Sequence, residues 1–381
     1  MRHGHVLLLA LAVAVAIGAV MTGCGKQSAS NEILIGEYGS LTGTTADFGI
    51  TTKNGIDLAV EEINNAGGVL GKKIRLIIQD DRSDPAEAKT AVTKLVMQDR
   101  VAAVLGEVAS TRSMAAAPVC QQAGVPMITP SSTNPAVTKR GDYIFRVCFI
   151  DDFQGTICAK FAAETLGLKR AAIIKDVKND YSVGLAKSFT DSFSKLGGQI
   201  VGEVSYSEGD TDFSSQITAI RGTKPQIIFV PGYYQEVDLI ARKARQLGIK
   251  VPLLGGDGWD SSTLIPNSGG ALEGSYFSNH YDAAMGGPEV KKFIAAYRKK
   301  FGSDPNALAA LGYDAMHIMA RAIERAGSTD GAKIRDAIAA TKNFPGITGS
   351  ITIDKDRNAV KPGVILQIKG NKFQYVTTVR P

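Results

Sequence analysis

Short apolar, β-branched runs alternate along this chain with longer segments whose apolar positions recur every three or four residues. The first pattern is that of strands buried on both faces, and the second is that of helices covering them. Residues 32–38, EILIGEY, read as a strand, and residues 39–43 turn out of it. A helix is predicted over 51–65, with Ile56, Ala59, Val60 and Ile63 on one face, and Ala66-Gly67-Gly68 ends it. Residues 74–79 form the next strand. The helix over 86–98 has Asp84 as its N-cap and Pro85 at its first position. Strands follow at 101–105, 125–128 and 143–149, with a helix over 113–123 that Gly124 closes. Asp151 and Asp152 open a helix ending near Leu166-Gly167.

The alternation then restarts. Strands at 171–175, 199–206, 226–231 and 252–254 are separated by helices at 181–196, 211–221 and 235–248, the second with Phe213, Ile217 and Ile220 on one face. After a strand at 274–278 come helices at 288–301, 306–326 and 331–341. A hairpin of 347–353 with 364–369 is expected next, and a last strand at 373–379. Strand–helix alternation of this kind predicts an α/β fold with parallel sheets.

The stretch 104–133 stands out for its hydroxyls. Ser110 and Thr111 stand before the helix at 113–123, and Pro130-Ser131-Ser132-Thr133 follows the next strand. Both turns fall at the carboxyl edge of one parallel sheet, where open α/β sheets take ligands. A helix N-terminus there offers free N–H groups and partial positive charge, suited to a carboxylate or phosphate. Ser110 and Ser131 acting as plain N-caps is the other reading, and both stand at this point.

Composition adds limits. A chain of 381 residues, 44% hydrophobic and 21% charged, is globular and long enough for two domains. The net charge of +6 is spread out, with no basic run interleaved with aromatics, so no nucleic-acid partner is expected. Residues 1–23 read as a signal peptide: Arg2, His3 and His5 precede an apolar run at 6–20 that is short for a membrane span. Met21-Thr22-Gly23-Cys24 resembles a lipobox, with Met where Leu is usual, so Cys24 is expected to be the acylated first residue of the mature chain. Residues 24–31 are then a tether. Three cysteines remain, Cys120, Cys148 and Cys158, an odd number with no zinc-site spacing. Core thiols are expected for at least one of them.

Several motifs are absent. No G-x-G-x-x-G follows a strand, residues 67–73 lack a phosphate-loop pattern, and there is no G-x-S-x-G elbow. Asp80, Asp81 and Asp84 lack the spacing of a calcium loop. His280 and His317 have no nucleophile beside them in sequence. The expectation is a non-enzyme without metal or cofactor.

Taken together, ILIGEYGSLTGTTADFG (33–49), GIDLAVEEINNAGGVLGKKIRL (55–76), DDRSDPAEA (80–88), VLGEVAS (104–110), GVPMITPSSTNPAVT (124–138), FRVCFIDDFQG (145–155), FVPGYYQE (229–236) and LLGGDGWD (253–260) resemble the periplasmic branched-chain amino-acid-binding proteins, the substrate-binding subunits of ABC importers. The likeness runs through the whole mature chain in order. It implies a type I periplasmic binding fold: two doubly wound α/β lobes joined by three hinge crossings, near 149–152, 277–281 and 360–363. Lobe one is then 32–150 with 280–360, and lobe two 151–279 with 361–381. It also implies a periplasmic or extracytoplasmic monomer, lipid-anchored at Cys24, that passes an aliphatic amino acid to ABC permease subunits in the membrane. A different ligand (an amide, an aromatic acid or a short peptide) and a sensory role are the alternatives.

By the same resemblance, Ser110 and Thr133 hold the ligand's α-carboxylate, and the carbonyl of Ser131 receives its ammonium. Asp257 pairs with that ammonium, where the best-known members usually carry Glu. Tyr233 and Tyr181 pack over the ligand from lobe two. Phe48, Val108, Ala109 and Leu308 wall the side-chain pocket. Trp259 either narrows the site or packs in the core. Some members have a disulfide at the positions of Ser83 and Ala109, which cannot form here. Energetically, a zwitterion leaving water needs both charges matched. Charge-assisted hydrogen bonds of about 1.5–3 kcal/mol each, with about 1.5–3 kcal/mol from burying an aliphatic side chain, bring a micromolar Kd within reach after ordering costs.

Overall fold

Apolar strands with both faces covered sit at the centre of two sheets in the computed structural model, which describes residues 31–381. The signal peptide expected at 1–23, the acylated Cys24 and the tether up to residue 30 lie outside the described residues. The first sheet is wholly parallel. It comprises β1 (Glu32–Gly39), β2 (Lys73–Asp80), β3 (Ala103–Leu105), β4 (Met127–Thr129) and β5 (Ile144–Arg146), in the spatial order β2-β1-β3-β4-β5. Its connections are α1 (Ala46–Asn65), α2 (Pro85–Thr93) and α3 (Ser110–Ala123). Asp84 caps α2 as expected, accepting from the N–H groups of Ala86 and Glu87, with Pro85 at the first turn.

α1 starts at Ala46 rather than Thr51, and α3 at Ser110 rather than Ser113. Ala109 is the residue that precedes α3, so Ser110 is the first helical residue and not an N-cap. No helix follows Ser131 either. The capping reading of these two serines is therefore corrected by the backbone itself.

The chain leaves the first sheet after Arg146, and α4 (Asp151–Lys160) already packs on α5 (Asp180–Lys195). β6 (Arg170–Asp176), β7 (Gln199–Tyr206), β8 (Ile227–Val230), β9 (Leu253–Gly255) and β10 (Tyr276–Asn279) build the second sheet, with α6 (Ser214–Gly222), α7 (Tyr234–Gln246) and α8 (Leu264–Ser268) between them. The chain then returns. α9 (Pro288–Phe301), α10 (Ala307–Ala326) and α11 (Gly331–Ala339) cover the first unit, where Leu311, Met316 and Ile323 of α10 join Ile56 and Ala59 of α1 in one core.

A small sheet of β11 (Phe344–Gly346), β12 (Gly349–Ile353) and β13 (Ala359–Val360) follows. After a third passage, β14 (Gly363–Lys369) and β15 (Lys372–Val379) join the second sheet, β14 antiparallel to β10, giving the order β15-β14-β10-β9-β8-β6-β7. The expected hairpin of 347–353 with 364–369 does not exist: β12 pairs with β11 and β13, while β14 pairs with β10 and β15. Both runs are apolar, but Ile351 and Ile353 enter the core of the first unit and Val364, Ile365 and Leu366 that of the second. Two α/β units joined by three passages of the chain is thus the observed architecture.

α1 and α10 touch backbone to backbone at two glycines. A Cβ at Gly55 would lie 1.9 Å from the carbonyl oxygen of Ala309, and one at Gly312 would lie 2.5 Å from that of Thr52. Gly55→Ala should force the helices apart and cost about 1–3 kcal/mol. Gly222, at the end of α6, has open space where a Cβ would point, so Gly222→Ala should be neutral or mildly stabilising. Thermal unfolding of both variants checks this; equal midpoints would contradict the close helix contact.

Candidate ligand-binding site

The carboxyl ends of β3 and β4 face those of β6, β8 and β9, and the segments leaving these strands meet around one cavity. It is lined by Phe48, Val108, Ser110, Ser131, Thr133, Tyr181, Tyr233, Asp257, Gly258 and Leu308. Nine of the ten side chains expected at a binding site are therefore brought together. Ala109 is the exception. It is buried in the same apolar cluster as Phe48 and Val108 but does not line the cavity. Its N–H is turned to the Glu107 carboxylate at the entry to α3.

Two hydroxyl-rich loops are laced together on the first unit. Ser132 Oγ lies 2.7 Å from Ser113 Oγ and within 3.0 Å of the carbonyl oxygens of Glu107 and Val108. Ser110 Oγ accepts the Asn134 N–H at 3.1 Å, which leaves its own proton free to donate. The guanidinium of Arg146, fully buried, donates to the carbonyls of Ser132 and Asn134, on either side of Thr133. Thr133 Oγ1 is buried without a hydrogen-bond partner among the described residues. A buried hydroxyl left so is costly, and here it borders a cavity beside the N-terminus of α3.

The second unit supplies an acid and two tyrosines. Asp257 is only 5% exposed. Its Oδ1 accepts from Gln154 Nε2 at 2.8 Å, and its Oδ2 lies 3.0 Å from His280 Nε2 and 3.4 Å from Ser131 Oγ. Burial holds His280 below the ordinary imidazole range, against the pull of Asp257, so the neutral ring donates from Nε2. Tyr181 and Tyr233 stack with ring centroids 5.4 Å apart, and Phe48 meets Tyr233 edge-on at 5.4 Å. Tyr181 OH accepts the Gly258 N–H at 3.2 Å. Nearby Asp151 is fully buried and held well above the carboxylate range, by burial first. The Thr133 hydroxyl acts in the opposite direction, yet neither carboxyl oxygen completes a geometrically sound hydrogen bond.

Direct contacts close the two units over the cavity. The Asp47 carboxylate accepts from the N–H of Ser262 at 3.1 Å and its hydroxyl at 3.0 Å. Thr111 Oγ1 accepts the Asp180 N–H at 3.0 Å, Asn134 Nδ2 donates to the Asp180 carbonyl at 2.8 Å, and Thr44 Oγ1 donates to Glu208 at 2.9 Å.

Residues 32–372 match the family model described as periplasmic binding protein. The chain belongs to the periplasmic binding protein family. Among solved structures of this family, a leucine-binding protein from Thermotoga maritima is 42% identical, with a TM-score of 0.89 over 92% of this chain and 99% of that one. The branched-chain amino-acid transporter substrate-binding protein of Streptococcus pneumoniae, in complex with isoleucine, is 36% identical, with a TM-score of 0.87 over 92% and 100%. A leucine-, isoleucine-, valine-, threonine- and alanine-binding protein from Pseudomonas aeruginosa is 32% identical over 93% of this chain and 94% of its own length. The two-lobed, three-crossing fold is that of these binding proteins. Among the described residues, no helix is long and apolar enough to cross a membrane.

Some features of this binding protein were not accessible to sequence reasoning. Gly258 lines the cavity because a Cβ there would lie 2.7 Å from the Gly232 carbonyl and 2.9 Å from the Tyr233 ring. The GGDG run was its only signal. Gln154 and His280 are far from Asp257 in sequence and had none. Trp259 is a core residue: it is fully buried, donates from Nε1 to the Val230 carbonyl at 3.0 Å and stacks on Phe277. Ser83 stands where some members have a cysteine. Its hydroxyl donates to the Thr42 carbonyl at 3.0 Å and accepts the Thr45 N–H at 3.1 Å, so hydrogen bonds tie down this turn. Cys120, Cys148 and Cys158 are all free, buried core thiols, each pushed up to about 12 by burial.

The electrostatics predict a histidine titration. His317 is pushed down to about 4, by burial first, and His280 lies below the usual 6.5. Each has a folded-state pKa below its unfolded value, so protonation opposes the fold, and their contribution to stability falls as pH drops below about 6.5. NMR titration of the imidazole resonances of the mature protein should give a midpoint below 6.5 for both rings. A His280 midpoint at or above 6.5 would contradict a neutral donor to Asp257.

Proposed function

We propose that the protein binds a branched-chain aliphatic amino acid between two lobes and delivers it to the permease subunits of an ABC importer. The observation that carries this reading is the pairing of chemistries around one cavity. One buried acid, Asp257, comes from the second unit, and two hydroxyls, Ser110 and Thr133, with a helix N-terminus come from the first. Apolar walls from Phe48, Val108, Leu308, Tyr181 and Tyr233 complete it. An α-amino acid has the complementary set: an ammonium, a carboxylate and, in leucine, isoleucine or valine, an aliphatic side chain. The names of the similar proteins, which specify leucine, isoleucine and valine, support the same ligand class.

In this reading the lobes are 32–150 with 280–360 and 151–279 with 361–381, and the three passages of the chain are the hinge. Ligand groups satisfied from both lobes are satisfied together only when the lobes are closed, so binding shifts the population toward closure. Ser110 and Thr133 hold the carboxylate, while the Ser131 carbonyl and Asp257 hold the ammonium. The protein is a monomer outside the cytoplasm, anchored by acylated Cys24, and it performs no chemistry on its ligand.

Calorimetry on the mature protein should give a Kd in the micromolar range or tighter for at least one of leucine, isoleucine and valine. Failure of all of these and of alanine would sink the assignment. Asp257→Ala should weaken binding by roughly ten- to a hundredfold or more, from about 1.5–3 kcal/mol of lost charge-assisted bonding. Thr133→Val should cost about tenfold or more on the same basis. Retained affinity in either variant would remove that residue from the site. For the anchor, mass spectrometry of the native protein should find a lipid on an N-terminal Cys24, and an unmodified N-terminus would contradict it.

A further inference from the structure

Asp257 is held by two side chains that themselves stay outside the cavity lining. Gln154, in the first half of α4, donates its Nε2–H to Oδ1 at 2.8 Å. His280, one residue beyond β10, sits 3.0 Å from Oδ2 through Nε2. A carboxylate oxygen only accepts, so Nε2 carries the proton, and Nδ1 has no partner among the described residues. Both side chains are fully buried. His280 lies on the second passage between the lobes, and its ring stacks at 3.7 Å on Phe149 of the first passage. A Cβ at Gly256 would come within 3.0 Å of Gln154 Nε2, so the glycine beside Asp257 leaves room for that donor.

We propose that Gln154 and His280 are positioning residues: they fix both oxygens of Asp257 and so present the carboxylate to the ligand's ammonium. This rests on the functional reading above. An aspartate side chain free to rotate would lose orientation entropy on meeting its partner. One clamped at both oxygens has lost that freedom already, which strengthens the contact with the ammonium. Gln154 belongs to the same lobe as Asp257, and His280 lies on the second passage, where the two lobes meet. The carboxylate therefore keeps its orientation when the lobes part and Ser131 moves away.

A double-mutant cycle on the mature protein, read by calorimetry with leucine, tests this. Gln154→Met and His280→Met should each weaken leucine binding about tenfold, and each loss should shrink below about twofold in an Asp257→Asn background, because the partner they act through is gone. His280→Gln, whose amide nitrogen can replace Nε2–H, should stay within about threefold of the parent protein. Losses of equal size in the parent and Asp257→Asn backgrounds, or no loss in the parent background, overturn the proposal while leaving the functional reading intact. A parent protein that binds no leucine, isoleucine or valine overturns both. Thermal midpoints report folding. If His280→Met does not fold, the Gln154→Met cycle and the His280→Gln variant decide.

Discussion

A charge removed from water must be matched, and Asp257 is the place where this protein meets that demand. Its carboxylate is almost sealed off, yet each oxygen has a donor, from Gln154 and from His280. Much of the surrounding architecture is what such a group requires. Gly256 and Gly258 let Gln154, Tyr181 and Tyr233 approach. The neutral imidazole avoids a second buried charge. The two tyrosines and Phe48 exclude solvent from one side. In the proposed binding mode a ligand ammonium is the remaining partner of this oriented acid, and that mode favours α-amino acids over ligands with a carboxylate alone.

The opposite jaw solves the complementary problem with neutral groups. Among the described residues, no cationic side chain lines the cavity. In the proposed binding mode the carboxylate is held by Ser110, Thr133 and the start of α3, and these must be stiff to be selective. Stiffness comes from beneath. Arg146 grips the carbonyls on both sides of Thr133. Arg112, also buried, donates to Thr45 Oγ1 at 2.9 Å and to Ser40 Oγ at 3.2 Å, and lies 3.9 Å from the Glu107 carboxylate. Ser40 Oγ in turn reaches Asp81 at 2.8 Å. Burial, and after it the Glu107 carboxylate, push Asp81 up to about 8. Such a network contributes little net stability by itself; its effect is to fix the loops in one arrangement. Arg112 also comes within 3.8 Å of Glu208 on the second unit, so the same cluster meets the other lobe in the closed form.

Much of this was legible in the chain. The strand at 199–206 and the helix at 288–301 have the bounds expected from periodicity, because long, strongly patterned segments carry their own signal. Boundaries governed by tertiary contact were not legible. α1 starts five residues early (46 against 51): Phe48 packs into the closed site, while Gly49, a poor helix former, weakens the local helix signal before Thr51. The false hairpin arose because two alternating apolar runs specify burial but not partners. Nine site residues were placed by resemblance and meet around one cavity, whereas Ser110 and Ser131 are not helix caps as local rules allowed. Gln154, His280 and Arg146 act through pairings across the fold, and only coordinates bring those pairs together.

The most direct test is a crystal structure of the mature protein with leucine bound. Its ammonium should lie within hydrogen-bonding distance of Asp257 and the Ser131 carbonyl. Its carboxylate should lie on Ser110, Thr133 and the first N–H groups of α3, and its side chain against Phe48 and Leu308. Leucine bound in the reverse orientation, or outside the cleft between the two units, would contradict this binding mode.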